Sequence, residues 1–277
     1  MSETETLVLG CIAGGTILLG LPLGRMRAAA PGLRQFLNAV AVGILVFILW
    51  DVLSNAYGPI DQALGNVRHH TAGLAPVVGY GALFFAGIGL GLIGLSAYQR
   101  LLAGRAKRPA SPGPGAVAEA ELSRLSEGQR LAVLVAVGIG LHNFGEGLAI
   151  GTSAAKGAIT LATLLVIGFA LHNATEGFGI VAPLTAEGRR PGWGFLLLLG
   201  AVGGGPTLVG TALGRQFTSP ALSVLFLTLA AGSILYVIIQ LVGVARKAGA
   251  GELLYWGIFV GLLAGFVTDM VVSAAGA

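Results

Sequence analysis

Residues 129–154 read QRLAVLVAVGIGLHNFGEGLAIGTSA, and Glu146 is the only acidic residue in this apolar run. A membrane-spanning helix needs about 20 mostly apolar residues, so the run is long enough to cross a bilayer. Runs of the same kind occur at residues 6–24, 33–56, 74–98, 158–184, 192–213, 220–245 and 253–274. The sequence therefore predicts an all-α integral membrane protein, with eight transmembrane helices in one domain that covers residues 1–277.

The composition agrees with this prediction and excludes several other classes of protein. Charged residues make up 10% of the 277 residues, whereas an ordinary soluble domain has about 25%. The 46 glycines show no three-residue period, so they fit close packing of membrane helices and not collagen. The net charge of +4 comes from basic residues scattered between the apolar runs. We therefore expect a lipid bilayer, and not a nucleic acid, as the partner of this chain.

The basic residues predict the orientation of the helices. Thirteen of the sixteen Lys and Arg residues fall on one face of the bundle, and only Arg68, Lys156 and Arg215 fall on the other. Because cytoplasmic loops carry the excess of Lys and Arg, both termini are expected outside the cytoplasm, in an inner or plasma membrane. Residues 2–5 read SETE, with two acidic residues and no basic one, so they do not resemble the start of a signal peptide, and we expect the first run to be retained. Residues 99–128 are predicted to form a flexible cytoplasmic loop.

Two local patterns predict how particular helices begin and pack. Ser126, followed by Gln129 three residues later, indicates a capping box at the start of the fourth helix. Gly257, Gly261 and Gly265 recur at four-residue intervals in the eighth span, which is typical of closely packed membrane helices. We expect this stripe to pack inside the chain, with a homodimer interface as the alternative.

The fourth and fifth spans carry the same polar motif near the middle of the membrane. Residues 141–147 read LHNFGEG, and residues 171–177 read LHNATEG. The two copies contain both intramembrane histidines, His142 and His172, together with Glu146 and Glu176. An ionisable side chain at the centre of a membrane helix costs about 2.5–3.5 kcal/mol or more, so it persists only with a partner or a task. Because consecutive spans run antiparallel, the pair approximates an inverted repeat.

The spacing within each motif places its polar side chains along one side of the helix. Relative to the histidine, the glutamate lies about 40° round the helix and about 6 Å along its axis, and the asparagine lies about 100° round. Two such helices that face each other can hold two divalent metal ions a few ångströms apart, with the carboxylates bridging them. The predicted ligands are His142, Asn143, Glu146, His172, Asn173 and Glu176.

The ligand types narrow the choice of metal. Neutral imidazole combined with carboxylate suits Zn²⁺ and other first-row divalent ions, whereas Mg²⁺ and Ca²⁺ prefer oxygen ligands alone. We predict Zn²⁺ as the bound ion. Fe²⁺, Mn²⁺ and Cd²⁺ are alternatives, because ligand affinity does not set selectivity in the cell. Metal binding is expected to release protons and to weaken at low pH. A single His/Glu pair at this spacing is usually a hydrogen bond on a helix surface, but its duplication inside the membrane favours a metal site.

In these motifs and in its topology the chain resembles the ZIP (Zrt/Irt-like) divalent metal transporters. Members of that family typically carry HNxPEG on helix four and a related HxxxEG on helix five. The resemblance covers essentially the whole chain in topology and rests, in motif, on these two segments. It implies a ZIP-like bundle in which helices four and five carry a central binuclear transport site, formed by the six motif residues named above. It also implies movement of the metal ion toward the cytoplasm.

Several positions depart from the family pattern. Gly145 stands where the family usually has proline, and Thr175 stands at the corresponding place in the fifth span. The acidic residue often found before the proline of helix six is replaced by Gly205, which precedes Pro206. The segment around Gln240 lacks the His/Glu pair often seen near the cytoplasmic exit. These departures imply a weaker second metal position or a different preference among metals.

Polar residues outside the motifs receive separate predictions. Asp51, near the outer end of the second span, matches an acidic residue at the pathway entrance of the family, where its field would attract cations. Asp269, near the outer end of the eighth span, is expected to play a structural role with Arg215 or water. His69 and His70 are expected to lie in a solvated outer loop, with transient metal capture as the alternative.

The sequence thus favours a membrane transporter for divalent transition metals over an enzyme. The rival from another class is an intramembrane metal-dependent hydrolase, in which the same ligands hold a metal that activates water. Such an enzyme would also need an additional general base and a lateral opening for its substrate. A passive channel is a third interpretation. We expect no cofactor apart from the transported ion, and a homodimer stays open.

Overall fold

The computed structural model describes residues 2–25, 31–105, 125–157, 159–187, 190–216 and 219–274. Within these residues all regular secondary structure is helical, and eight helices are long and apolar enough to cross a membrane. The helices are α1 (Glu3–Gly15), α2 (Pro31–Arg68), α3 (Ala75–Arg105), α4 (Glu127–Ala155), α5 (Ile159–Ala186), α6 (Trp193–Gly214), α7 (Pro220–Lys247) and α8 (Gly251–Ala274). Two short helical segments, Ile17–Gly20 and Leu21–Arg25, complete the first span after α1.

These helices confirm an all-α, multi-pass membrane protein. Large apolar side chains cover the outside of the bundle, for example Phe85 on α3 and Tyr255 on α8, which are 75% and 71% exposed. An exterior of this kind would be unstable in water and is what a hydrocarbon environment favours.

Two predicted boundaries differ from the structure. The second span was expected to end at residue 56, but α2 continues to Arg68 and is about 57 Å long at 1.5 Å per residue. The predicted loop 99–128 is shorter, because α3 continues to Arg105 and α4 begins at Glu127; residues 106–124 lie outside the described residues. Hydropathy marks the part of a helix that crosses the hydrocarbon, about 30 Å thick, and not where the helix itself ends.

The predicted capping box at the start of α4 is confirmed. The Ser126 hydroxyl oxygen accepts a hydrogen bond from the Gln129 backbone N–H at 3.2 Å, and Gln129 Oε1 accepts from the Ser126 N–H at 2.9 Å. The same reciprocal arrangement joins Ser2 and Glu5 at the start of α1. Each box satisfies two N–H groups that have no partner within the helix.

The eight helices pack as two groups of four. In what we call the site group, α4 packs extensively on α6 and also contacts α5 and α1. In the wall group, α2 packs along α8, and α7 packs along α3 and α2. The main contacts between the groups join α4 to α7 and α2 to α5.

Glycines allow the closest approaches within each group. A Cβ atom at Gly147 on α4 would collide with the backbone carbonyl of Thr207 on α6, so only glycine fits there. In the wall group, Gly257, Gly261 and Gly265 of α8 face Ala39, Val40 and Phe47 of α2. The prediction that this stripe packs inside the chain is confirmed, whereas a homodimer stays a prediction.

Candidate metal centre

The centre of the site group is a cluster of two histidines and one glutamate from α4 and α5. One ligand atom from each of His142, Glu146 and His172 lies within 4.8 Å of the others. His142 Nε2 is 2.9 Å from Glu146 Oε1, and the same carboxylate oxygen contacts His172 Nε2 across the helix pair. The Glu146 carboxylate therefore lies between the two imidazole rings, whose centroids are 6.2 Å apart.

The second glutamate, Glu176, has a different environment. It is 1% exposed, and both of its carboxylate oxygens lack a hydrogen-bond donor. Its nearest imidazole atom is His142 Nε2, 3.9 Å from Glu176 Oε1. A buried carboxylate without donors is strongly unfavourable, so a bound cation or a proton is needed to neutralise its charge.

The two asparagines use their N–H groups on the backbone of neighbouring helices. Asn143 Nδ2 donates to the carbonyl of Gly203 on α6 at 3.0 Å. Gly203 lies three residues before Pro206, which has no N–H and interrupts the backbone hydrogen bonds of that helix. Asn173 Nδ2 donates to the carbonyl of Ala13, near the end of α1, at 3.1 Å and lies 3.4 Å from Glu146 Oε2. The Oδ1 atoms of both asparagines are buried without a donor, so they are available to a cation.

A cavity of about 690 Å³ separates the two helix groups above the cluster. His142, Glu146 and His172 form its floor, while Glu176 does not line it. The cavity follows α4 as far as Ser153, about 16 Å beyond His142. It thus reaches the end of the bundle that carries Lys156, which the distribution of basic residues predicts to be extracytoplasmic.

Two further carboxylates line the cavity, and one of them lacks a partner that the sequence suggested for it. Asp51 on α2 lines the wall, with Oδ1 accepting from Asn55 Nδ2 at 3.1 Å. Asp269 on α8 lines it too. The partner expected for Asp269, Arg215, instead donates to the Thr6 hydroxyl oxygen at 3.2 Å.

A signal for Asp269 was present in the sequence. Gly257, Gly261 and Gly265 contact α2, and Asp269 follows at the next four-residue step on the same side of α8. The contacts pair Gly257 with Ala39 and Gly265 with Phe47, so the two helices run parallel in register. One further step along this seam brings Asp269 to the level of Asp51.

On the other side of the cluster the path is closed by apolar packing. Ile139 on α4, Ile180 on α5 and Leu241 on α7 are fully buried in one hydrophobic core that continues toward the basic face. The three carboxylates of the cavity are therefore connected to one face of the bundle and sealed from the other.

The remaining polar candidates lie away from the floor of the cavity. His69 and His70 are exposed beyond the end of α2, and His70 has a positive φ of 57° that suits a turn. Gln240 Nε2 donates to Gln99 Oε1 at 3.3 Å, which is an ordinary hydrogen bond between α7 and α3. We see no arrangement of ligands around these residues in the described part of the chain.

The cluster can coordinate a divalent ion with two imidazole nitrogens and one carboxylate. Three protein ligands leave a coordination position free, which would point into the cavity. Among the described residues that line the cavity none is a Lys or Arg, so with both histidines neutral the charge there is negative. Such a surface attracts cations.

Comparison with models of known protein families and with curated proteins finds no match to this chain. What the centre can do therefore rests on its own residues and their geometry.

Proposed function

We propose that the protein transports divalent transition-metal ions across the membrane toward the cytoplasm, with Zn²⁺ as the first choice and in the manner of the ZIP transporters that its motifs resemble. The observation that carries the proposal is the His142, Glu146 and His172 cluster at the floor of a cavity that reaches one face of the bundle. The three acidic residues facing this cavity support a cationic cargo.

Capture begins at the wall of the cavity. Asp51 and Asp269 lie on the route to the floor and lower the electrostatic energy of a cation there. The ion then exchanges part of its water for His142, Glu146 and His172. Because one coordination position stays open to the cavity, the ion can also leave by exchange, as transport requires.

A second ion position lies behind the first in this proposal. Glu176 and the Oδ1 atoms of Asn143 and Asn173 offer buried oxygen atoms without donors. Glu146 would bridge the two positions, because Asn173 approaches its Oε2 while the imidazoles approach its Oε1. The positions would differ in chemistry, since the outer one has imidazole nitrogens and the inner one mainly oxygen.

Release toward the basic face requires movement between the two helix groups. The metal ligands all belong to the site group, whereas Asp51, Asp269 and the opposite wall of the cavity belong to the wall group. Sliding or tilting of the site group would close the cavity and expose the cluster on the other side. The arrangement of the ligands would not change during this movement, since α4 and α5 move together.

An intramembrane metal-dependent hydrolase is the second candidate. Two histidines and one glutamate with an open position is also the ligand set of catalytic zinc sites, and the cavity is large enough for a small organic substrate. Glu176 does not line the cavity, so the additional general base of such an enzyme would have to be Asp51 or Asp269 on the cavity wall. A passive channel is disfavoured by the closed apolar packing below the floor.

The proposal is tested by metal uptake into proteoliposomes that contain a zinc-sensitive dye. We expect saturable uptake by the wild type, near-complete loss in Glu146→Ala and a large loss in Glu176→Ala. Glu252→Gln, at the start of α8 and outside the cavity, is the control and should transport normally. Unchanged uptake in both glutamate variants would exclude the assigned site, and turnover of a lipid with a non-exchanging metal would favour the hydrolase.

A further inference from the structure

Among the described residues, a single side chain joins the two helix groups by a hydrogen bond, just below the floor of the cavity. Ser233 on α7 donates from its hydroxyl to the backbone carbonyl of Gly138 on α4 at 2.9 Å. The same hydroxyl also donates to the carbonyl of Ala230 in its own helix at 2.7 Å, so its one hydrogen is shared between the two carbonyls. Ser233 is fully buried, so no water competes for this proton.

The other side-chain hydrogen bonds between transmembrane helices remain inside one group wherever the chain is described. In the site group, Asn143 bonds to α6, Asn173 to α1 and Thr152 to α6. In the wall group, Tyr236 bonds to α3, and Asn38 on α2 bonds to α7. No other side-chain hydrogen bond among the described residues crosses the boundary between the groups, so sliding would break no second bond of this kind.

The Ser233 contact lies where the cavity ends and direct packing begins. Gly138 is one helical turn, about 6 Å, below His142 on the cavity floor. Ala230, one turn before Ser233, still lines the cavity. A Cβ atom at Gly138 would lie 2.6 Å from Val237 Cγ2, so only glycine allows α4 to approach α7 this closely.

We infer that the Ser233–Gly138 hydrogen bond is a latch that holds the cavity open to the Lys156 face and closed to the basic face. The inference rests on the proposed alternating access of the metal site. When the site group moves, the Ser233 hydroxyl can donate to the Ala230 carbonyl alone, and the Gly138 carbonyl keeps its acceptor role within α4. The latch therefore opens without leaving a buried donor unsatisfied, which makes it reversible.

The test measures which side of the floor is accessible to a water-soluble maleimide. The protein is reconstituted in nanodiscs, where the reagent reaches both faces, with the exposed native thiol removed by Cys11→Ala. One reporter is Ser223→Cys on the cavity wall. The other is Ala41→Cys, at a position that is 1% exposed and faces α5 on the basic side of the floor.

Loss of the latch should shift accessibility from the cavity to the basic side. We expect the maleimide to label Ala41→Cys about three-fold faster when Ser233→Ala is present than when Ser233 is intact, and to label Ser223→Cys more slowly. A change of this size fits the loss of one hydrogen bond between membrane helices. Thr228→Val on the same helix is the matched control, because it removes a buried hydroxyl that bonds only to carbonyls of α7. An unchanged rate in Ser233→Ala, or an equal rise in Thr228→Val, overturns the inference.

A second variant decides the question if Ser233→Ala does not fold. Gly138→Ala adds a methyl group against Val237 and should also raise labelling of Ala41→Cys; an unchanged rate contradicts the latch. Zn²⁺ binding is measured in the same samples and should not change, because neither residue is a ligand. Absence of Zn²⁺ binding in the wild type would defeat the proposed function, while the labelling rates would still decide the latch.

Discussion

Glu146 on α4 contacts His172 on α5 through the same carboxylate oxygen that lies 2.9 Å from His142. One glutamate thus serves both imidazoles, while Glu176, its counterpart in the repeated motif, has no hydrogen-bond donor. The two copies of the motif are therefore equivalent in sequence and unequal in structure.

This inequality predicts unequal effects on metal affinity. Glu146→Gln should weaken binding of the first Zn²⁺ by at least about 100-fold, because it removes the carboxylate shared by both histidines. Glu176→Gln should weaken it by about ten-fold or less, since Glu176 does not line the cavity. Isothermal titration calorimetry in detergent measures both values, with Glu252→Gln as the control. Equal losses in Glu146→Gln and Glu176→Gln would contradict the assignment of Glu146 as the shared ligand.

Binding of Zn²⁺ should compete with protons. The histidines must be neutral and the glutamate ionised to bind metal, so affinity should fall as the pH is lowered and binding should release protons. Titration in buffers of different ionisation enthalpy gives the number of protons released. The double variant His142→Ala and His172→Ala should release fewer protons with whatever metal it still binds. The prediction fails if the affinity is the same at low and neutral pH.

Asp51 and Asp269 should affect capture more than the transport step. Asp51→Asn and Asp269→Asn should each raise the KM for uptake about two- to five-fold at low ionic strength, with a small change in maximal rate, because they act through the field of the cavity. The difference should shrink at high salt. Asp61→Asn provides the control, since that exposed carboxylate on α2 lies outside the cavity. A large fall in maximal rate with unchanged KM would indicate a different role.

Close packing of α4 on α6 predicts a stability difference between two glycines. Gly147→Ala should destabilise the protein by about 1–3 kcal/mol, because the new methyl group would overlap the backbone carbonyl of Thr207. Gly205→Ala on α6 should be neutral or slightly stabilising, since a Cβ there meets nothing within 4 Å. Thermal unfolding in detergent, followed by tryptophan fluorescence, compares the two. A similar fall in Tm for both variants would show that the close approach is not the cause.

The bundle could be predicted because the bilayer imposes a strong constraint on sequence. Runs such as residues 129–154 must be apolar over their whole length, and helices are the structure that satisfies their backbone there. The end of α2 could not be predicted in the same way. Beyond residue 56 the helix leaves the region where hydropathy reports on it, yet its hydrogen bonds continue to Arg68.

The candidate ligands also came from the sequence, since ionisable residues in a membrane helix are rare and the motif occurs twice. The position of Asp269 on the cavity wall, in contrast, could not be predicted from its own segment. Its role depends on α8 running parallel to α2 in register, and that contact joins residues more than 200 positions apart. A periodicity within α8 shows which side packs, but not which helix it packs on.

The sequence by itself determined the helices, the ionisable residues among them and the likeness of the two motifs. Only the tertiary structure decided which glutamate lies between the histidines, which helices form the opposite wall and which end of the cavity is closed. The physical reason is that hydropathy and helix periodicity act along one segment. The environment of Glu146 or Glu176, in contrast, is set by the helices that pack around it, and carbonyls of α1 and α6 hold the two asparagines beside it.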